Sequence, residues 1–132
     1  MPLNNPIPGG NMLPEYIAPG WPYLTASSVA SSSTKAHRFG TVASSFALKN
    51  ATAGDDNAMV LAYGFTRNGV EGSNRGTLVP GESFSGDYKF TEFFIRSATT
   101  SSIDYELAVS LTGIPSQQLI AITGSNGFDG VG

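Results

Sequence analysis

The 132-residue chain contains no cysteine and a single histidine, His37. These absences exclude a disulfide framework, a thiolate metal site and a multi-histidine zinc site. His37 lies beside Lys35 and Arg38, and no second histidine or cysteine is present to complete a catalytic arrangement. We therefore expect His37 to be a surface or interface residue and not a catalytic base.

Charged side chains are also scarce. They make up 13% of the chain, against about a quarter in an average globular domain. The net charge is −3 and the arginines are scattered, so the sequence supplies no basic patch for nucleic acid. No run of about eighteen apolar residues occurs, and the N-terminal segment lacks the charged and apolar regions of a signal peptide. We expect neither nucleic-acid binding, nor a membrane span, nor a secretory signal.

Patterns that would indicate an enzyme are weak. The oxygen-rich segment of residues 55–57 could hold calcium, but the spacing of a twelve-residue calcium loop is absent and a polar turn is the simpler interpretation. Glu82, Asp87 and Glu92 flank turns or strand ends, where a solvated charge is more common than a glycosidase pair. Nucleophile-elbow and phosphate-loop motifs are missing. The sequence therefore predicts a protein that is not an enzyme and uses no metal or cofactor.

What the chain does contain is a Pro/Gly-rich N-terminal segment, residues 1–34, whose only charge before Ser33 is Glu15. Its prolines interrupt any helix or central strand, and residues 26–34 have the composition of a serine-rich linker. The segment nevertheless carries too much apolar surface for a solvated tail. We expect an extended arm that lies against a neighbouring subunit or against its own domain. Its partner-binding residues would be Leu13, Tyr16, Ile17, Trp21 and Tyr23.

Residues 35–113 show the period-two alternation of strands. Strands are predicted at 41–49, 58–66, 77–79, 83–88, 92–97 and 102–111, the first two joined as a hairpin, with a loop at 67–76 and a type II turn at Pro80 and Gly81. The pattern predicts an all-β domain, either a β-sandwich or a jelly roll. Its expected core consists of Phe46, Leu48, Leu61, Tyr63, Phe65, Phe93, Ile95, Tyr105, Leu107 and Val109.

Residues 114–132 form a short C-terminal tail in this organisation. Within it, residues 117–122 are a candidate additional strand whose partner need not belong to the same chain. The expected division is therefore an arm and linker at 1–34, a β-domain at 35–113 and a tail at 114–132.

Two short motifs resemble a known family. They are the turn Thr-Leu-Val-Pro-Gly-Glu-Ser at residues 77–83 and the strand Phe-Phe-Ile-Arg-Ser-Ala at residues 93–98. Within residues 42–111 their order is similar to that of small β-sandwich structural proteins in the virions of tailed phages. The resemblance implies a capsid decoration or cement protein, located in the virion, that contacts the major capsid protein or other virion proteins.

Such a protein would work as a homo-oligomer, for example a trimer, and would bridge neighbouring capsid subunits through its arm. Two alternatives remain open at this point. One is a minor neck or tail protein, and the other is a glycan-binding β-sandwich with a shallow aromatic groove. Tyr63, Tyr88 and Tyr105 would converge in that groove.

Overall fold

The computed structural model describes residues 21–53, 59–99 and 101–132. Its elements, in chain order, are β1 (Trp21–Val29), β2 (Thr34–Asn50), β3 (Leu61–Gly64), α1 (Arg67–Glu71), β4 (Gly76–Leu78), β5 (Ser83–Gly86), β6 (Phe90–Ser97), β7 (Ile103–Pro115) and two 3-10 turns at Ser116–Gln118 and Gly124–Asn126. The prediction of an all-β fold is confirmed.

The strands form one antiparallel sheet in the order β1-β7-β2-β6-β3-β4, and β5 also pairs with β2. The long strand β2 changes partners along its length, with a shift of register between Arg38 and Ala43. Residues 43–50 pair with β7 and β5, and these three segments together with β1 are called layer A here. Residues 34–38 pair with β6, which continues to β3 and β4 as layer B. The sheet thus folds over at β2 into a sandwich.

The core lies between the two layers. Phe46 of layer A and Phe93 of layer B meet there with their ring centroids 4.9 Å apart. Eight of the ten predicted core residues are buried, whereas Tyr63 and Phe65 are half-buried and pack against the cluster from its edge. The core alternates along each strand because only one face of each layer points inward.

Strand β1 corrects the predicted domain boundary. Residues 21–29 do not belong to an extended arm or linker, because they pair along their whole length with β7, from Trp21 opposite Leu111 to Val29 opposite Ile103. The serine-rich stretch contributes a strand whose alternate residues face the core, and only residues 30–33 form a turn, with Ser32 at a φ of +54°. The β-domain therefore begins at Trp21 and not at residue 35.

The predicted hairpin between the second and third strands is also wrong. Residues 46–49 of β2 already have β7 on one edge and β5 on the other, and β3 pairs instead with β6 and β4 in layer B. Buried Asn50 stabilises the connection from β2 in layer A to β3 and β4 in layer B. Its side-chain amide donates to the carbonyls of Met59 and Leu78, each at 3.0 Å. Its Oδ1 atom accepts from the amide of Thr52.

The outer face of layer B is covered. Helix α1 replaces part of the predicted loop at 67–76: the Thr66 side chain caps it by accepting from the Gly69 amide, and Val70 is buried against Phe94. The C-terminal tail packs onto this helix, where the Thr66 hydroxyl donates to the carbonyl of Val131. Residues 117–122 form no strand in the described chain, since Ser116–Gln118 is a 3-10 turn.

Candidate interaction surfaces

Strand β1 forms one border of layer A and presents two large apolar side chains to solvent. Trp21 is 66% exposed and Leu24 is 74% exposed. Among the predicted partner-binding residues, Trp21 is thus available for contact. Tyr23 instead packs on the core, with its ring 5.0 Å from that of Phe39. The other three predicted residues, Leu13, Tyr16 and Ile17, lie outside the described residues.

The outer face of layer A is a shallow groove lined largely by small side chains. Leu24 on β1 lies opposite Ala108 on β7, Ala108 lies opposite Ala47 on β2, and Ala47 lies opposite Ser85 on β5. Because directly paired residues point to the same face of a sheet, these four side chains form one row across the layer. Two adjoining depressions of about 430 and 490 Å³ meet at Leu24, Ala47 and Ala108. This surface is called the layer A groove below.

Charge is confined to the ends of the layer A groove. Lys49 lies opposite Glu106 at one end, and Asp87 lines the other end. Between them, the neighbouring row adds Ser45 and Ser110, which carry only hydroxyl groups. The centre of the groove therefore offers little charge to desolvate and allows another backbone to approach closely.

A second exposed apolar feature lies at the β5 edge of the sandwich. Phe84 and Tyr88, 41% and 49% exposed, lean over the inward-facing ring of Phe46. Tyr63 stacks beside Phe84, with 5.9 Å between ring centroids and an interplanar angle of 24°. Burial, and secondarily the neighbouring Tyr88, raises the pKa of the Tyr63 phenol. These rings form an aromatic edge, called by that name below.

The aromatic edge answers one question that the sequence leaves open. Tyr63 and Tyr88 do lie together at the aromatic edge, but Tyr105 is buried beside His37 and is not part of that edge. The third aromatic residue of this edge is Phe84, which the sequence analysis did not single out. Phe84 lies on the short strand β5 opposite Leu48, so its side chain faces inward at an open border of the sandwich.

His37 is not a surface residue, contrary to the sequence-based prediction. It is only 7% exposed, and its ring lies between two tyrosines: Nδ1 is 3.0 Å from the Tyr23 hydroxyl and Nε2 is 2.8 Å from the Tyr105 hydroxyl. Burial, and secondarily the charge of Lys35, lowers the pKa of His37, while burial raises the pKa of Tyr105. A neutral imidazole satisfied at both nitrogens ties β1 and β7 to β2.

The acidic residues weighed as a glycosidase pair have separate roles. Glu92 forms an ion pair with Arg38 at 2.6 Å, and Glu82 accepts a hydrogen bond from the Val79 amide within the Pro-Gly turn. Asp87 is exposed at the end of the layer A groove. Residues 55–57, for which the sequence predicts a polar turn rather than a calcium loop, lie outside the described residues.

Two further features, a metal-binding cluster and a membrane-spanning helix, are absent from the described parts of the chain. In residues 21–53, 59–99 and 101–132, no group of three or more His, Cys, Asp or Glu side chains could hold a metal ion. Within the same ranges, no helix has the length and apolar character needed to cross a membrane.

Comparison with known proteins assigns the chain to no family. No family model and no curated protein matches the chain. Among solved structures, the crystal structure of a Yersinia pseudotuberculosis-derived mitogen aligns with a TM-score of 0.42 at 7% sequence identity, covering 75% of this chain and 92% of the mitogen. At that level of similarity the mitogen carries no argument about function.

Proposed function

We propose that the protein is a non-enzymatic structural component of a tailed-phage virion, acting as a capsid decoration or cement protein. In this function it works as a homo-oligomer and stabilises the shell by bridging neighbouring subunits through its N-terminal arm. The observation that carries the proposal is the asymmetry of the two outer faces. Layer B is covered by α1 and the tail, whereas the layer A groove is open, lined at its centre by small uncharged side chains, and charged only at its ends.

Such a face is suited to permanent contact with another protein surface. Charged residues are typically depleted at the centre of protein interfaces, and small side chains permit close packing over a wide area. Leu24 adds an exposed anchor at the border of this face, whereas Trp21 alternates with it along β1 and belongs to the opposite face, together with Tyr23. Burying Leu24 in a partner would contribute roughly 1.5 to 3 kcal/mol.

The motifs behind the family resemblance serve the fold. Gly81 has a φ of +87°, as position three of a type II turn requires, and Glu82 closes that turn through its side chain. Phe93 and Ile95 are fully buried in the core. The resemblance to phage virion proteins therefore rests on residues that build the β-sandwich. The proposed structural role is supported separately, by the open layer A groove.

Mass spectrometry of purified phage particles tests the proposal directly, because a decoration protein is present there in many copies. Leu24→Glu should lower the number of bound copies by about tenfold or more, since it places a charge in an apolar contact. Ser28→Glu is the matched control: Ser28 is exposed on the same face of β1 but does not line the groove. Absence of the chain from particles, or equal occupancy by the two variants, would overturn the proposal.

One observation favours a second candidate, a glycan-binding module. Tyr63, Phe84 and Tyr88 present ring faces at the aromatic edge, and Asp87 lies next to Tyr88 in the chain. Sugar rings stack on such aromatic faces, while neighbouring carboxylates accept hydroxyl hydrogen bonds. Binding to a glycan array that is lost in Tyr88→Ala, with capsid occupancy unaffected, would favour this function over the first.

A further inference from the structure

The layer A groove has a candidate occupant within the same sequence. Twenty residues precede Trp21, and Trp21 begins the strand whose Pro22 and Leu24 side chains line the border of the groove. The segment of residues 12–17 reads Met-Leu-Pro-Glu-Tyr-Ile and contains four large apolar side chains. We propose that the layer A groove binds residues 12–17 of a second copy of this chain.

The chemistry of the segment favours the groove over a sheet edge. Pro14 lacks an amide hydrogen, so along the free side of β1 the segment could pair only in the register that turns the Pro14 nitrogen away from β1. Docking on a sheet face needs no such ladder of hydrogen bonds. The small side chains of Ala47 and Ala108 leave room for the apolar side chains of an extended segment.

Charge agrees with the same placement. Glu15 is the only charged residue in the arm, and Lys49 is the only basic residue that lines the groove among the described residues. The carboxylate of Glu15 would therefore pair with the ammonium group of Lys49, at the end of the groove where Glu106 lies opposite Lys49 and away from the end where Asp87 lies. The pair would fix the position of the segment along the groove and contribute modestly to affinity.

Chain direction favours a second copy as the donor. Trp21 precedes Pro22, and a residue before proline is restricted to extended backbone. The β1 residues that line the groove all follow Trp21, so an arm that continued the line of β1 backwards from Trp21 would lead away from this groove and towards a second copy. Arms passed from each copy to the next would close a ring such as a trimer. A reversal at Pro19 and Gly20 would instead return the arm to its own groove, and the experiment separates these two cases.

Because the sequence contains no cysteine, an introduced cysteine is the only thiol with which a cross-linker can react. Purified full-length Leu13→Cys and Ala108→Cys variants are mixed and treated with a short bismaleimide cross-linker. We expect a covalent heterodimer on a denaturing gel, at least about fivefold more abundant than from the control mixture of Leu13→Cys with Ser28→Cys. No heterodimer, or no excess over the control, would overturn the proposal. A double Leu13→Cys/Ala108→Cys chain that cross-links only within itself would also overturn it, because the donor would then be the same copy.

Sedimentation velocity supplies an independent readout. The full-length protein should self-associate, Ala47→Arg should weaken self-association by about tenfold or more, and Ser28→Arg should leave it unchanged. Glu15→Lys should weaken it about two- to fivefold, and adding Lys49→Glu should restore it. A monomeric wild-type protein, or undiminished assembly of Ala47→Arg, would contradict the proposal.

The inference rests on the proposed function only in giving the arm a role in assembly, and its tests need no particle. A protein that is monomeric in solution but abundant in virions would overturn this inference and leave the proposed function standing. A protein that assembles through its arm but is missing from virions would do the reverse.

Discussion

Lowering the pH from 7.5 to 5.5 should destabilise the folded protein through His37. In the native state its ring lies between Tyr23 and Tyr105, and the positive charge of Lys35 on the same strand acts on it. Burial and that charge hold the pKa of His37 below its usual 6.5. The unfolded chain therefore takes up a proton near pH 6.5, whereas the folded protein takes it up only at a lower pH. The stability gained from neutral His37 is fully present above pH 6.5 and is lost as the pH falls below it.

The size of the effect follows from one proton. Each pH unit between the unfolded and folded pKa values changes the unfolding free energy by about 1.36 kcal/mol. Between pH 7.5 and 5.5 the loss is therefore at most about 1.4 kcal/mol. Glu71, whose pKa is lowered mainly by a hydrogen bond from Thr34, titrates only below its ordinary value of 4.5 and stays outside this range.

Urea denaturation followed by far-UV circular dichroism at the two pH values measures this loss. His37→Phe keeps an aromatic ring in the core but should abolish the pH dependence, and at pH 7.5 it should cost about 1 to 3 kcal/mol because the buried Tyr105 hydroxyl loses a partner. Tyr105→Phe is the matched control, since it retains the histidine. Equal stability of the wild type at both pH values, or an unchanged slope in His37→Phe, would refute the reasoning.

Three further changes probe the fold that positions the surfaces. Asn50→Leu should lower the unfolding free energy by roughly 2 to 4 kcal/mol, because the carbonyls of Met59 and Leu78 lose their hydrogen-bond donor. A loss below about 0.5 kcal/mol in urea denaturation would contradict a stabilising role of Asn50. Gly69→Ala should expose the tail to hydrogen exchange, since a Cβ there collides with tail backbone, whereas Gly130→Ala meets nothing and should leave exchange unchanged. Phe46→Ala should cost about 3 to 5 kcal/mol by calorimetry, clearly more than Phe84→Ala at the exposed edge.

The sequence predicted the elements whose core residues alternate strongly. The second half of β2, together with β6 and β7, was recognised because a large apolar side chain recurs at every second position. Strand β1 was missed because its inward positions include Thr25 and Ser27, and because Pro22 argues against a strand. Proline is tolerated there since β1 is an edge strand with β7 on one side only.

Long-range pairing accounts for the other errors. Nothing near His37 in the sequence indicates that strands 14 and 68 residues away deliver Tyr23 and Tyr105 to its two nitrogens. Helix α1 was missed because it contains Gly69 and spans little more than one turn. Its stability comes from the Thr66 cap and from burying Val70 against another strand.

The interaction surfaces depend on a feature that alternation alone does not reveal, namely which outward face is left open. Residues at outward positions of both layers are largely small or polar, so the sequence does not indicate which of the two outer faces is left uncovered. In the structure, Phe94 on the outer face of layer B is buried beneath α1, with Arg38 and Arg67 over its ring at 5.9 and 5.6 Å. Layer A has no such cover among the described residues, and Leu24 is left exposed beside Ala47 and Ala108. A partner is therefore sought on layer A, where covering the groove would bury apolar surface without displacing any contact that the fold already makes.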